Sequence, residues 1–222
     1  MPTTKLDLSK LKTYPLASRS SKVNMAAFAR VCRKGSSFRQ FYDALPDFLA
    51  ANDLKRLVRA IVEAHRARKP FLWMMGAHVI KVGLNPLLID MVQRRVITAV
   101  ALNGAGVIHD FELAYMGATS EDVAAALADG SFGMAEETNR MINRAIRDGA
   151  KRGLGLGESV GAMIRAQRLP YRALSLLATC HELGVPATVH VAIGTDIIHQ
   201  QSTADGAAIG QTSLADFRKL AG

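Results

Sequence analysis

The sequence predicts an α/β fold: a Rossmann-like parallel sheet with helices on both faces, preceded by a basic helical N-terminal arm. Three observations predict it. Three apolar runs, at 71–75, 96–102 and 185–193, the second rich in β-branched residues, each lead into a glycine-bearing loop with polar residues. Segments of helical periodicity separate the runs, as a parallel sheet requires. The positive charge is confined to the start: residues 1–70 hold 15 Lys and Arg against 5 Asp and Glu, and residues 71–222 hold 13 against 14.

Taken in order, residues 1–24 carry Pro2 and Pro15 among several Ser and Thr, and read as an extended arm. The acid-free stretch from Leu8 to Tyr42 resembles a transit peptide, but it runs into helical pattern without a small-residue cleavage site. Short amphipathic helices are expected over 24–33 and 36–50. A clearer helix covers 54–68, with Leu54, Leu57, Val58, Ile61 and Val62 as its apolar stripe, and Pro70 ends it. After the first strand, Asn85 is a good N-cap and Pro86 a good first residue for a helix over 86–95. The second strand, 96–102, is followed by a turn and a helix to about Met116. Thr119-Ser120-Glu121-Asp122 opens a short helix to Ala128. A long helix covers 135–147, and the Gly-rich 149–157 is expected to be a mobile connector. Helices over 158–168 and 170–183 follow, stopped by Gly184. A final helix begins after Asp205-Gly206.

The composition is an ordinary globular mixture, 49% hydrophobic and 21% charged. No run of eighteen apolar residues exists and the start lacks an apolar secretory segment, so neither a membrane partner nor a secretory signal is expected. Cys32 and Cys180 make no usual metal spacing and fit a reducing, cytoplasmic setting. The basic arm reads as a surface for a neighbouring subunit. No nucleic-acid partner is expected, because no aromatic-interleaved RNA motif accompanies the charge.

The chemistry concentrates at Asn103-Gly104-Ala105-Gly106 and the polar residues His109, Asp110 and Glu112 just beyond. Ligands of open α/β sheets sit at the carboxyl ends of strands, and N–H groups at a helix start hold phosphate there. His109 beside Asp110 reads either as a proton shuttle or as a histidine bonded to backbone at a helix start. His78, His109, His190 and His199 lack the short spacing of a metal site, so no metal is expected.

Several motifs in this order resemble the deoxyhypusine synthase family, its bacterial deoxyhypusine-synthase-like branch most closely. They are Gly76-Ala-His-Val-Ile-Lys81, Gly83-Leu-Asn-Pro86, Ala101-Leu-Asn-Gly-Ala-Gly-Val-Ile-His-Asp-Phe-Glu112, Thr119-Ser-Glu-Asp-Val123 and His190-Val-Ala-Ile-Gly-Thr-Asp-Ile-Ile-His199, with Tyr14-Pro-Leu-Ala-Ser-Arg19 like that branch's arm. The resemblance implies a Rossmann-like NAD-binding domain over 71–222 behind an arm over 1–70, NAD as cofactor, and a homotetramer. It also implies a reaction that oxidises spermidine with NAD and passes the aminobutyl group through a lysine imine. By position it implies cofactor contacts at Gly83, Asn85, Asn103, Gly104, Ala105, Gly106 and Asp196. Catalytic roles fall to His109 and Asp110, and amine binding to Asp110, Glu112 and His199.

Two departures qualify the resemblance. The family's adjacent carboxylates after the central glycines are here Ile108-His109, with Asp110 only then. The family's catalytic lysine belongs to a C-terminal segment not found here; after residue 70 the lysines are Lys81, Lys151 and Lys219, of which only Lys81 stands beside a strand-end turn. The domain is therefore expected to be incomplete at its C-terminus, and a non-catalytic, NAD-binding or scaffold relative is the alternative.

Overall fold

A computed structural model describes residues 7–222; the first six residues of the expected arm, Pro2 included, lie outside that range. Contacts divide the chain into two units, at Ala60 and Ile61.

In the first unit, the expected helix over 24–33 is only a 3-10 turn, Met25–Ala27, after which the chain is extended. Asn24 caps that turn through Ala26 N, and Arg30 N then bonds the distant carbonyl of Ala44, which withdraws it from any helix. The next segment forms α1, Phe38–Ala44, opened by a reciprocal Ser37–Gln40 capping box and stopped at the extended Leu45 that precedes Pro46. Helix α2 runs Leu49–Arg66, five residues earlier than its apolar stripe suggests. Lys55 donates to the Leu45 carbonyl and to Asp47, at 2.6 and 2.7 Å.

The second unit holds a three-stranded parallel sheet in sequence order: β1 Leu72–Met75, β2 Ala99–Asn103 and β3 Ala187–His190. The register sets Trp73 beside Val100 and Val100 beside Ala187. Each strand is shorter than its apolar run; Val96 N and Ile97 N, for example, bond back to the Met91 carbonyl at the end of α4. Helices α3 His78–Lys81 and α4 Asn85–Gln93 connect β1 to β2. The longer crossover to β3 contains α5 Gly104–Met116, α6 Val123–Asp129, α7 Glu136–Lys151, α8 Leu156–Ala166 and α9 Leu176–Leu183. Helix α10, Gly206–Ala221, follows β3 and is capped by Asp205 through Ala208 N.

On one sheet face Val100, Leu102, Ala187 and Val189 join Phe111, Ile142, Val160 and Leu177 in the apolar core. The sequence predicts two-sided cover, and on the other face Ala101 and Thr188 are buried, while Met74 in β1 at the sheet edge is 67% exposed. The sequence also suggested one helix over 170–183. Instead a 3-10 turn, Arg172–Leu174, precedes α9, since the Ser175 hydroxyl caps Ala178 N and restarts the helix.

The Gly-rich segment is a correction of another kind. It is a tight turn between α7 and α8, not a mobile connector. A Cβ on Gly149 would stand 1.8 Å from Ser159 Oγ, and one on Gly157 would stand 2.1 Å from the Ala187 carbonyl oxygen. Glycine is used here for close approach of helix to strand and helix to helix.

The free edge of β3 is closed by side chains of α10. Asp216 Oδ2 accepts from Val189 N at 2.8 Å and from Gly157 N at 3.0 Å. Ser213 Oγ accepts from Val191 N and donates to the Val189 carbonyl. Burial pushes the Asp216 carboxyl above the usual carboxylate range, against the two N–H donors that favour its charge. Asp216→Ala leaves both N–H groups buried and unpaired, and is expected to cost about 2–4 kcal/mol in urea unfolding.

Candidate functional site

Helix α5 has two working faces, and they do different things. Its N-cap Asn103 accepts from Gly106 N at 3.0 Å, and Gly117, at φ 74°, ends it in the left-handed region. Val107, Asp110, Phe111 and Ala114 form a buried stripe. Ala105, Ile108, His109 and Glu112 form the neighbouring stripe and line a cleft of about 270 Å³. The opposite walls come from Lys81 at the end of α3, Ser120 and Glu121 before α6, Phe132, and Thr195 to Ile197 after β3. The cleft thus stands beyond the carboxyl ends of β2 and β3, where ligands of open α/β sheets bind.

His109, Thr119 and Glu112 form a hydrogen-bonded chain. The Thr119 hydroxyl donates to Glu112 Oε2 at 2.5 Å, and a hydroxyl has only one proton to give. Its oxygen must therefore accept at the 2.6 Å contact with His109, so Nδ1 carries the hydrogen. Nε2 is left with its lone pair. Burial holds the His109 pKa below the ordinary 6.5; Glu112 opposes this, and Lys81 adds to it. At neutral pH the ring is an uncharged base in one tautomer, as general base chemistry wants. Thr138 also donates to Glu112, through Oε1 at 3.2 Å.

Asp110, expected in the same site, lies outside it. It is 0% exposed and accepts from Leu176 N at 2.7 Å, Leu177 N at 3.2 Å, Ser175 Oγ at 2.5 Å and Asn85 Nδ2 at 3.0 Å. It caps α9 and ties α4 to α5, and no substrate reaches it. Burial raises its pKa to about 6 despite these donors. Asn85 is corrected along with it. The cap position of α4 is Leu84, and the buried Asn85 amide donates to Asp110 and to the Leu174 carbonyl. Gly83, at φ 81°, stands in open space at the turn before α4.

His199 also turns away from the cleft. Its Nδ1 accepts from Gly194 N and Asp196 N, so the ring staples the loop after β3. Asp196 does line the cleft. Its carboxylate lies over Gly104, where a Cβ would stand 1.9 Å from Oδ2, and that buried oxygen has no hydrogen-bond partner. Burial raises its pKa, with His199 opposing.

This arrangement tests the fit of NAD. A diphosphate does not fit against the peptide groups of residues 103–106 in this geometry: Asn103 already holds Gly106 N, and the Asp196 carboxylate covers Gly104. A ribose hydroxyl does fit, because it supplies the donor that Asp196 Oδ2 lacks.

Lys81 is the one lysine that the cleft contains; Lys219 pairs with Glu158 at 2.6 Å. Among the described residues, no group of three or more His, Cys, Asp and Glu is placed to hold a metal. Sequence reading missed Thr119, Glu121 and Thr138. Thr119 was assigned to a helix cap, but Asp122 caps α6 through Ala125 N, which frees Thr119 for His109. No protein-family model matches the chain, and no curated protein is significantly similar to it.

Two outcomes are expected. Asp110→Ala strands the N–H groups of Leu176 and Leu177 and the Asn85 amide, and should cost about 3 kcal/mol or more in chemical denaturation. In ¹⁵N-resolved titration, His109 should show the Nδ1–H tautomer and a midpoint below 6.5. Thr119→Val should give a mixture of tautomers.

Proposed function

We propose that this cleft binds a small polyamine and that the chain is a deoxyhypusine-synthase-like, NAD-dependent aminobutyl transferase in a Rossmann-like domain. The observation that carries the reading is a neutral histidine of fixed tautomer in a cleft walled by carboxylates. Glu112, Glu121 and Asp196 outnumber Lys81 there, which favours a cation. His109 Nε2 takes a proton from an ammonium group and frees its lone pair for reaction. Glu112, through Thr119, steadies the imidazolium that results.

Asp196 would hold a ribose hydroxyl of NAD beside the start of α5, with the diphosphate kept off the peptide groups of residues 103–106. When bound, NAD supplies the hydride acceptor. Glu112 and Glu121 hold the amine further along the helix, so His109 lies between the two. Lys81 is the lysine of the cleft, but it is exposed, so the family's imine-forming lysine has no buried counterpart there. The homotetramer implied by the resemblance belongs to the same reading.

A second reading is a non-catalytic amine-binding relative. It is favoured by Asn103 and Asp196 filling the corner at which a diphosphate was expected.

Calorimetric titration with spermidine decides the shared premise. Binding should weaken roughly tenfold or more in Glu121→Gln, as loss of a charge-assisted bond requires. No heat from spermidine at millimolar concentration would remove both readings. NADH absorbance on mixing spermidine and NAD separates them: its appearance supports the transferase, and its absence alongside amine binding supports the second reading.

A further inference from the structure

One nitrogen atom closes the loop that follows β3. Residues 192–195 are exposed, and the turn is made at Gly194, whose φ of 96° lies in the left-handed region. Thr195 bonds the Ala192 carbonyl through both N and Oγ1. The amides of Gly194 and Asp196 then converge on His199 Nδ1, at 3.1 and 3.2 Å.

A ring nitrogen that accepts two N–H bonds must keep its lone pair. The hydrogen of the neutral ring therefore lies on Nε2, which is buried and has no partner. A further proton has only Nδ1 to go to, and there it meets two N–H donors instead of making room for them. The imidazolium cannot accept either bond. Histidine is the side chain that ordinarily changes charge near neutral pH, and this ring is half-buried rather than enclosed.

The loop is also a wall of the cleft. Thr195, Asp196 and Ile197 line it, and the Asp196 carboxylate lies over Gly104. Asp196 is the charged group beside His199 in the same turn, and burial raises its own pKa, so it is the rival titrating group. Lys81, Glu112 and Glu121 stand on the other walls. Helix α7, packed on the turn, presents the neutral Asn143, which donates to the Ile198 carbonyl at 2.9 Å, and Arg147, which donates to the Thr203 carbonyl. The bland alternative is that His199 only caps the 3-10 turn Ile197–His199. A cap of that kind would leave the loop indifferent to acid.

We propose that residues 192–196 form an acid-released latch on the cleft: neutral His199 holds Gly194 N and Asp196 N, and protonation of Nδ1 frees the loop and withdraws Asp196 from Gly104. The latch goes beyond the transferase reading and stands whichever ligand the cleft takes.

The test is amide hydrogen exchange of the full chain between about pH 8 and about pH 5, corrected for the intrinsic pH dependence of exchange, with the His199 ring followed by ¹⁵N resonances. Protection of Gly194 and Asp196 should fall roughly tenfold or more as the ring protonates, as loss of two hydrogen bonds requires, while the amides of β2 stay protected. His199→Asn should keep the protection at every pH, because its amide oxygen accepts the same bonds and takes up no proton in this range. His199→Leu should lack the protection throughout. Asp196→Asn should keep the pH response. Wild-type protection that does not change as the ring protonates would overturn the latch. So would a response that survives in His199→Asn, or one that disappears in Asp196→Asn and so belongs to the carboxylate.

Discussion

The buried carboxylate of Asp110 is the contact on which the candidate site depends. It receives the first two N–H groups of α9, the Ser175 hydroxyl and the Asn85 amide, and so joins three helices at one point. A charge so placed is costly: burial outweighs four donors and raises its pKa to about 6. What it gives in return is orientation. With Asp110 fixed inward, α5 cannot rotate, and the stripe with His109 and Glu112 must face the cleft.

Polar groups in the cleft are arranged to leave one atom free. Thr119 has a single proton, given to Glu112, and this alone determines which His109 nitrogen is protonated. Asp196, across the cleft, has the opposite condition: a buried oxygen with no donor. A buried acceptor without a partner is unfavourable by itself and becomes favourable when a ligand brings a donor. The same carboxylate also covers Gly104, so one side chain both invites a hydroxyl and turns away a phosphate.

Much of the chain's organisation was legible. Three apolar runs gave three parallel strands in order, and Gly184 ends α9 at the expected place with φ of 63°. His109, Glu112, Ala105 and Asp196 were named from the sequence, and they do meet in one cleft. Asn85 reads as a site residue only by its position in the resemblance, and Asp110 by following His109 beyond the glycine turn. Helical period separates them: Asp110 shares a face with Val107, Phe111 and Ala114, which are core. Thr119 has no local signal for its role, because its partners His109 and Glu112 stand ten and seven residues back, beyond the turn that ends α5.

By itself, then, the sequence determined the alternation of strands and helices, the places where the backbone must turn, and the stock of polar groups beyond the strand ends. Those follow from local sterics and from periodic burial, which neighbours along the chain decide. Only the tertiary structure decided which of those groups face one another. A side chain's protonation and tautomer depend on partners brought together from four separate segments, and nothing in the local pattern encodes that convergence.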